Sequence, residues 1–255
     1  MALVNLDLLE TRDGFAIPPD SRFLPGEAVH VYGQVAGYKV GRDYRISLSY
    51  QMRATDPDGR PFYEAEEGKI DVELAPQDDN WMPVLRYSPR IPDHAGGGTY
   101  TVQILVRDEL AGVSVTAQLP IAVEGSRVQS ADQLLVRNFS FSCAESGRPV
   151  RNPVFGAGEE IRAEFLITGY KIREDNTYQV ESDVWVQDAA GQRLYDFEPA
   201  GEAGNPFYPK LWLPAELRLK LDESTPPGRY AVVLRLRDRV GGTEAVERYH
   251  FSIRR

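Results

Sequence analysis

The chain has 255 residues, long for one sandwich-sized domain and comfortable for two of about 120 residues each. Hydrophobic residues make up 42% and charged residues 26%, the balance of a globular rather than a disordered chain, and 22 Gly with 18 Pro favour many short strands over long helices. A formal net charge of −9 argues against a nucleic-acid partner, and the single cysteine, Cys143, excludes an intrachain disulfide and a Cys-based zinc site.

The opening MALVNLDLLE carries Asn5 and Asp7 and lacks a basic-then-apolar signal. Two placements are open: cytoplasmic if this start is native, or exported with the signal removed. No stretch approaches the 18 apolar residues a transmembrane helix needs, so no membrane span is expected. In the first half, strands are expected near 3–9, 28–36, 44–54, 69–74, 83–91, 99–107 and 113–123. The run YRISLSYQMRA at 44–54 shows why. Ile46, Leu48, Tyr50 and Met52 point one way, and Arg45, Ser47, Ser49, Gln51 and Arg53 the other, as in a half-buried strand. Between the strands, "DPDG" at 56–59 starts like a calcium loop, but Ala65 stands where such a loop needs Glu. It reads as a hairpin turn, as does "DAAG" at 188–191. "QDDN" at 77–80 has the carboxylates to hold a calcium weakly, but reads first as a solvated acidic loop. No metal or cofactor is expected.

Past a short polar segment, GSRVQSADQ at 125–133, the pattern starts again. Phe23-x-x-Gly26-Glu27 falls on Phe155-x-x-Gly158-Glu159, and Gly37-Tyr38-Lys39 on Gly169-Tyr170-Lys171. Trp81-Met82-Pro83 meets Trp212-Leu213-Pro214, and Tyr100, Arg107, Asp108 and Gly112 meet Tyr230, Arg237, Asp238 and Gly242. Alternation recurs with Tyr178, Val180, Val184 and Val186 inward, and again with Val232, Leu234 and Leu236. The expected organisation is an internal duplication: a domain at 1–124, a linker at 125–133 and a domain at 134–255. The expected fold class is all-β, two tandem antiparallel sandwiches of about seven strands each. The acidic excess is uneven: residues 1–124 hold 19 acids and 11 bases, and residues 125–255 hold 19 and 18.

The stretches "GGGTYTVQILVRDELAG" and "PPGRYAVVLRLRDRVGG" resemble the corner and sixth strand of an immunoglobulin-like or fibronectin-III-like sandwich. In that architecture a corner tyrosine bonds back to nearby backbone, the place Tyr100 and Tyr230 would take. Val102 and Val232 stand where antibody domains carry a cysteine, so the chain is similar to disulfide-free bacterial Ig-like modules. The resemblance implies an adhesin, spacer or accessory module of an exported protein, with no catalysis.

Candidate chemistry is sparse. His30, His94 and His250 lie far apart in sequence, Cys143 has no histidine at catalytic spacing, and no G-x-S-x-G pattern occurs. Arg107-Asp108 and Arg237-Asp238 read as turn chemistry. Tyr38 and Tyr170 read as rings capping a core with wet hydroxyls, and Trp81 and Trp212 as covers over one end of a core. Features present once are the better functional candidates. Trp185 faces outward by parity, among Gln179, Glu181, Asp183 and Gln187. Phe207 and Tyr208, in GNPFYPKLWLP, have no aromatic match in the first half. These three are the candidate ligand-binding residues, for a protein partner or, alternatively, a carbohydrate. The other reading is that Trp185 packs under the 204–214 loop or against the other domain.

Overall fold

The computed structural model describes residues 1–78, 80–125, 131–143 and 148–254. The chain divides into two compact units, Met1–Val128 and Gln129–Arg255. Among the described residues the regular structure is strand, with a single 3-10 turn at Pro76–Asp78 and no α-helix. Most of the expected linker, 126–130, lies outside the described residues, as does Asp79 of the expected acidic loop.

Unit 1 contains β1 (Ala2–Leu9), β2 (Arg22–Phe23), β3 (His30–Ala36), β4 (Arg45–Thr55), β5 (Pro61–Glu73), β6 (Val84–Tyr87), β7 (Gly98–Asp108) and β8 (Val113–Val123). They form a three-stranded sheet, β1-β3-β6, and a five-stranded sheet, β2-β8-β7-β4-β5. Unit 2 contains β9 (Leu135–Cys143), β10 (Val154–Gly156), β11 (Glu160–Thr168), β12 (Tyr178–Asp188), β13 (Arg193–Asp196), β14 (Ala200–Gly204), β15 (Trp212–Lys220), β16 (Gly228–Asp238) and β17 (Thr243–Arg254). Its sheets are β15-β11-β9 and β10-β17-β16-β12-β13, with β14 also on β12. All pairings are antiparallel except the short β2–β8 and β10–β17 contacts, which are parallel.

The faces follow the alternation. Ile46, Leu48, Met52, Val102, Ile104 and Val106 are essentially buried in unit 1, as are Val180, Val186, Val232, Leu234 and Leu236 in unit 2. The unit 2 core joins β11 and β15 of one sheet to β12, β16 and β17 of the other, which is the two-layer sandwich. At about 25 cal/mol per Å² of apolar surface, such a core is the main stabilising term of a fold with no disulfide.

Three element boundaries depart from expectation. β5 starts at Pro61, well before 69, because EAEEG carries no apolar alternation yet continues along the edge of β4. β6 covers only 84–87 of the expected 83–91. The two-residue β2 is too short to leave a periodic trace. Tyr100 and Tyr230 sit at the start of β7 and β16, 1% and 6% exposed, and donate to the carbonyls of Gly96 (2.9 Å) and Pro226 (2.6 Å). This is the back-bonding geometry of a tyrosine corner.

Candidate functional site

The repeated GYK and RD motifs turn out to be partners. Each GYK follows a strand, β3 or β11, with its glycine in the left-handed region (φ 67° at Gly37 and 78° at Gly169), where a side chain would strain the turn. That turn aims the next backbone amides at the end of the β7–β8 or β16–β17 hairpin. In unit 1, Lys39 N–H donates to Asp108 Oδ2 (2.7 Å), while Leu110 and Ala111 N–H donate to Asp108 Oδ1 (3.0 and 2.9 Å). In unit 2, Lys171 N–H donates to Asp238 Oδ2 (2.8 Å), and Val240 and Gly241 N–H to Oδ1 (2.9 Å each). The two carboxylates are 1% and 3% exposed. Three charge-assisted bonds compensate the desolvation of each. The expected turn bond is present, but the bond across the sandwich to GYK was not anticipated. The repetition of both motifs at matching positions was the available signal.

Tyr38 and Tyr170 complete this end. Tyr38 donates to the Trp81 carbonyl and Tyr170 to the Lys210 carbonyl. The expectation of a wet hydroxyl is corrected for Tyr170, whereas the Tyr38 bond lies at the exposed surface. Tyr170 is only 6% exposed, and its burial, then Tyr178 and Glu202, push its phenol well above the ordinary value. Tyr178 donates to Glu202 Oε1 (2.9 Å), and burial followed by that bond pushes its phenol up to about 12. Trp81 is 39% exposed and Trp212 half-buried, opposite Thr168 across β11–β15.

The other repeated carboxylates also serve the backbone. Asp56 Oδ1 accepts from Asp58 and Arg60 N–H (2.9 and 2.8 Å), and Asp188 Oδ1 from Ala190 and Gln192 N–H (2.9 Å each). Gly59 and Gly191 hold the left-handed conformation those turns require.

The single-copy candidates separate. Trp185 lies on the outer face of β12, as parity expects, but it is only 6% exposed. Of the two readings open for this ring, exposed or packed, it is packed, under two guanidiniums: Arg193 lies 3.9 Å from the ring centroid and Arg235 5.5 Å. Arg193 is held by Asp196 and Arg235 by Glu244. Their long side chains lay apolar stems and flat cations on the ring. The indole N–H donates to Gln187 Oε1 (3.2 Å). Tyr208 is also buried, at 8%, whereas Phe207 is 53% exposed, its carbonyl accepting from Asn176 Nδ2 (2.6 Å). Of the three candidate ligand-binding residues, only Phe207 presents a ring to solvent.

His30 Nδ1 lies 3.0 Å from Ser88 Oγ at the edge of the β3–β6 pairing. Among the described residues no carboxylate bonds this histidine, so the pair lacks the third group of a catalytic triad. Cys143 ends β9 opposite Ile161 and packs partly against the core. Among the described residues no group of three His, Cys, Asp or Glu side chains is placed to hold a metal.

What geometry and sequence define together is a pair of all-β sandwich units. No protein-family model matches the chain, and no curated protein matches it. Among solved structures it is similar to one described as the C-terminal domain of the Streptococcus pyogenes antigen I/II-family protein AspA. The identity is 10%, the coverage 98% of this chain and 98% of that one, and the TM-score 0.35. A second structure, described as BspA_C_WT, has 10% identity, 97% and 99% coverage and a TM-score of 0.35.

Proposed function

We propose that the chain is a non-catalytic binding or spacer module of an exported bacterial protein, built from two Ig-like sandwiches and acting through protein–protein contacts. One observation carries the reading. The polar residues repeated in both units, Asp56, Asp108, Asp188, Asp238, Tyr100 and Tyr230, are engaged by the backbone of their own unit. Groups that hold turns and corners are not free for chemistry on a substrate. The matching strand orders support an origin by duplication. Export rests on the resemblance to bacterial Ig-like modules, and cell fractionation of the tagged gene product tests it.

The acidic excess of residues 1–124 favours a basic partner. Cross-linking the full chain to cell-envelope proteins at low and high salt tests the binding reading. Recurrent partners that weaken with salt are expected, and no partner at any salt refutes it. The carbohydrate alternative rests on Phe207 alone among the three aromatics, because sugar stacking needs a presented ring face. Affinity gels with Phe207→Ala as control separate it from the first reading.

A further inference from the structure

The two units differ at one sheet edge. In unit 1, β5 closes the five-stranded sheet and pairs, among the described strands, only with β4. Its register runs without a bulge from Arg45↔Glu73 to Met52↔Glu66, so its other side offers solvent a straight row of backbone donors and acceptors. In unit 2 the corresponding edge is broken into the short β13 and β14. Between them, Phe197 N–H donates to the Val184 carbonyl (2.9 Å). Of these two corresponding edges, only that of unit 1 is continuous.

Side chains along this seat sort by face. Ile70 and Val72 lie on the core side, opposite Leu48 and Ile46, and Val72 is 38% exposed. Glu67, Lys69, Asp71 and Glu73 lie on the other face, opposite Gln51, Ser49, Ser47 and Arg45, so this face carries three acids and one base. Glu67 accepts a bond from Gln51, and among the described residues none of the three carboxylates forms an ion pair.

We propose that this edge binds, by strand addition, an extended segment of a partner protein in which apolar residues alternate with Lys or Arg. The inference rests on the protein-binding reading and names the chemistry of its partner. The segment's apolar side chains cover Ile70 and Val72, and its cations meet Glu67, Asp71 and Glu73. A second copy of this chain is the wrong occupant, because with three acids to one lysine on this face β5 against β5 sets mostly carboxylates against carboxylates. The charges that keep copies apart also select a basic strand.

The test titrates the full chain with a fluorescein-labelled peptide, Lys-Val-Lys-Val-Lys-Val-Lys. Controls are an isomer with the same residues in blocks and a Glu/Val peptide of the same pattern. The alternating basic peptide is expected to bind about tenfold tighter than the block isomer, and to slow amide exchange across Glu66–Glu73. E67K/D71K/E73K, with E67Q/D71N/E73Q as a milder second variant, is expected to weaken binding while keeping the wild-type urea midpoint. Equal binding of the isomer, unchanged exchange at β5 or unaffected binding by both variants overturns the proposal. Envelope partners captured equally by wild type and variant also overturn the edge assignment while leaving the protein-binding reading standing. Capture of none by the wild-type chain removes that reading itself.

Discussion

Replacing Asp238 with asparagine probes the bond between the GYK turn and the hairpin end. The Asp238 carboxylate is 3% exposed and accepts from three backbone amides, Lys171 at 2.8 Å and Val240 and Gly241 at 2.9 Å. Asparagine leaves one oxygen for Val240 and Gly241 but turns an NH2 group toward the Lys171 N–H, so two donors face each other. A hydrogen bond to a charged group contributes about 1.5–3 kcal/mol, and an unsatisfied buried donor costs about 1–3 kcal/mol. These terms overlap, so the expected loss is about 2–3 kcal/mol, or roughly 8 °C in Tm for a unit of this size. Asp108→Asn should behave alike, since Asp108 is 1% exposed with the same three kinds of partner. Asp13→Asn is the control, removing only a surface ion pair with Arg86 and staying within about 0.5 kcal/mol. Urea unfolding measures the losses, and amide exchange at Lys171, Val240 and Gly241 localises them. A loss below about 0.5 kcal/mol, or unchanged exchange at Lys171, refutes the idea that this carboxylate ties the two motifs together.

Tyr100→Phe and Tyr230→Phe each remove one corner bond while keeping the ring, so urea unfolding should show a loss of about 1 kcal/mol apiece. Trp185→Ala removes a buried ring and uncovers two guanidiniums. It should cost about 3 kcal/mol or more in the same assay, whereas Phe207→Ala should be nearly neutral. In alkali, the phenols of Tyr170, Tyr178 and Tyr249 are all raised in the folded chain, burial being the largest cause for each. A raised phenol binds its proton more tightly folded than unfolded. The stability it contributes is complete below pH of about 10, and falls as pH rises toward the folded value of about 12 at Tyr178. Phenolate absorbance should rise together with the loss of the β-sheet circular dichroism signal. Full phenolate titration before unfolding would contradict it.

Strand faces, turns and corners were legible in the sequence because they are local. The pleat sends successive side chains to opposite sides, so Ile46, Leu48 and Met52, or Val232, Leu234 and Leu236, declare their core face without a partner in view. DPDG and DAAG declare their turns for the same reason, since carboxylate and amides lie within four residues. The candidate site was less legible. Parity put Trp185 on the outer face correctly but could not supply Arg235, which arrives on a different strand to cover the ring.

The sequence by itself determined the all-β class, the inward residues and the positions of the repeated motifs. Only the tertiary structure decided what those motifs do. Lys39 and Asp108 stand 69 residues apart and Lys171 and Asp238 67 apart, and folding brings each pair into bonding distance. It likewise extended β5 along β4 through a run of acids with no apolar pattern, leaving its far edge open. Alternation is set by each residue's own backbone geometry, whereas covers, latches and open edges depend on which distant strands become neighbours.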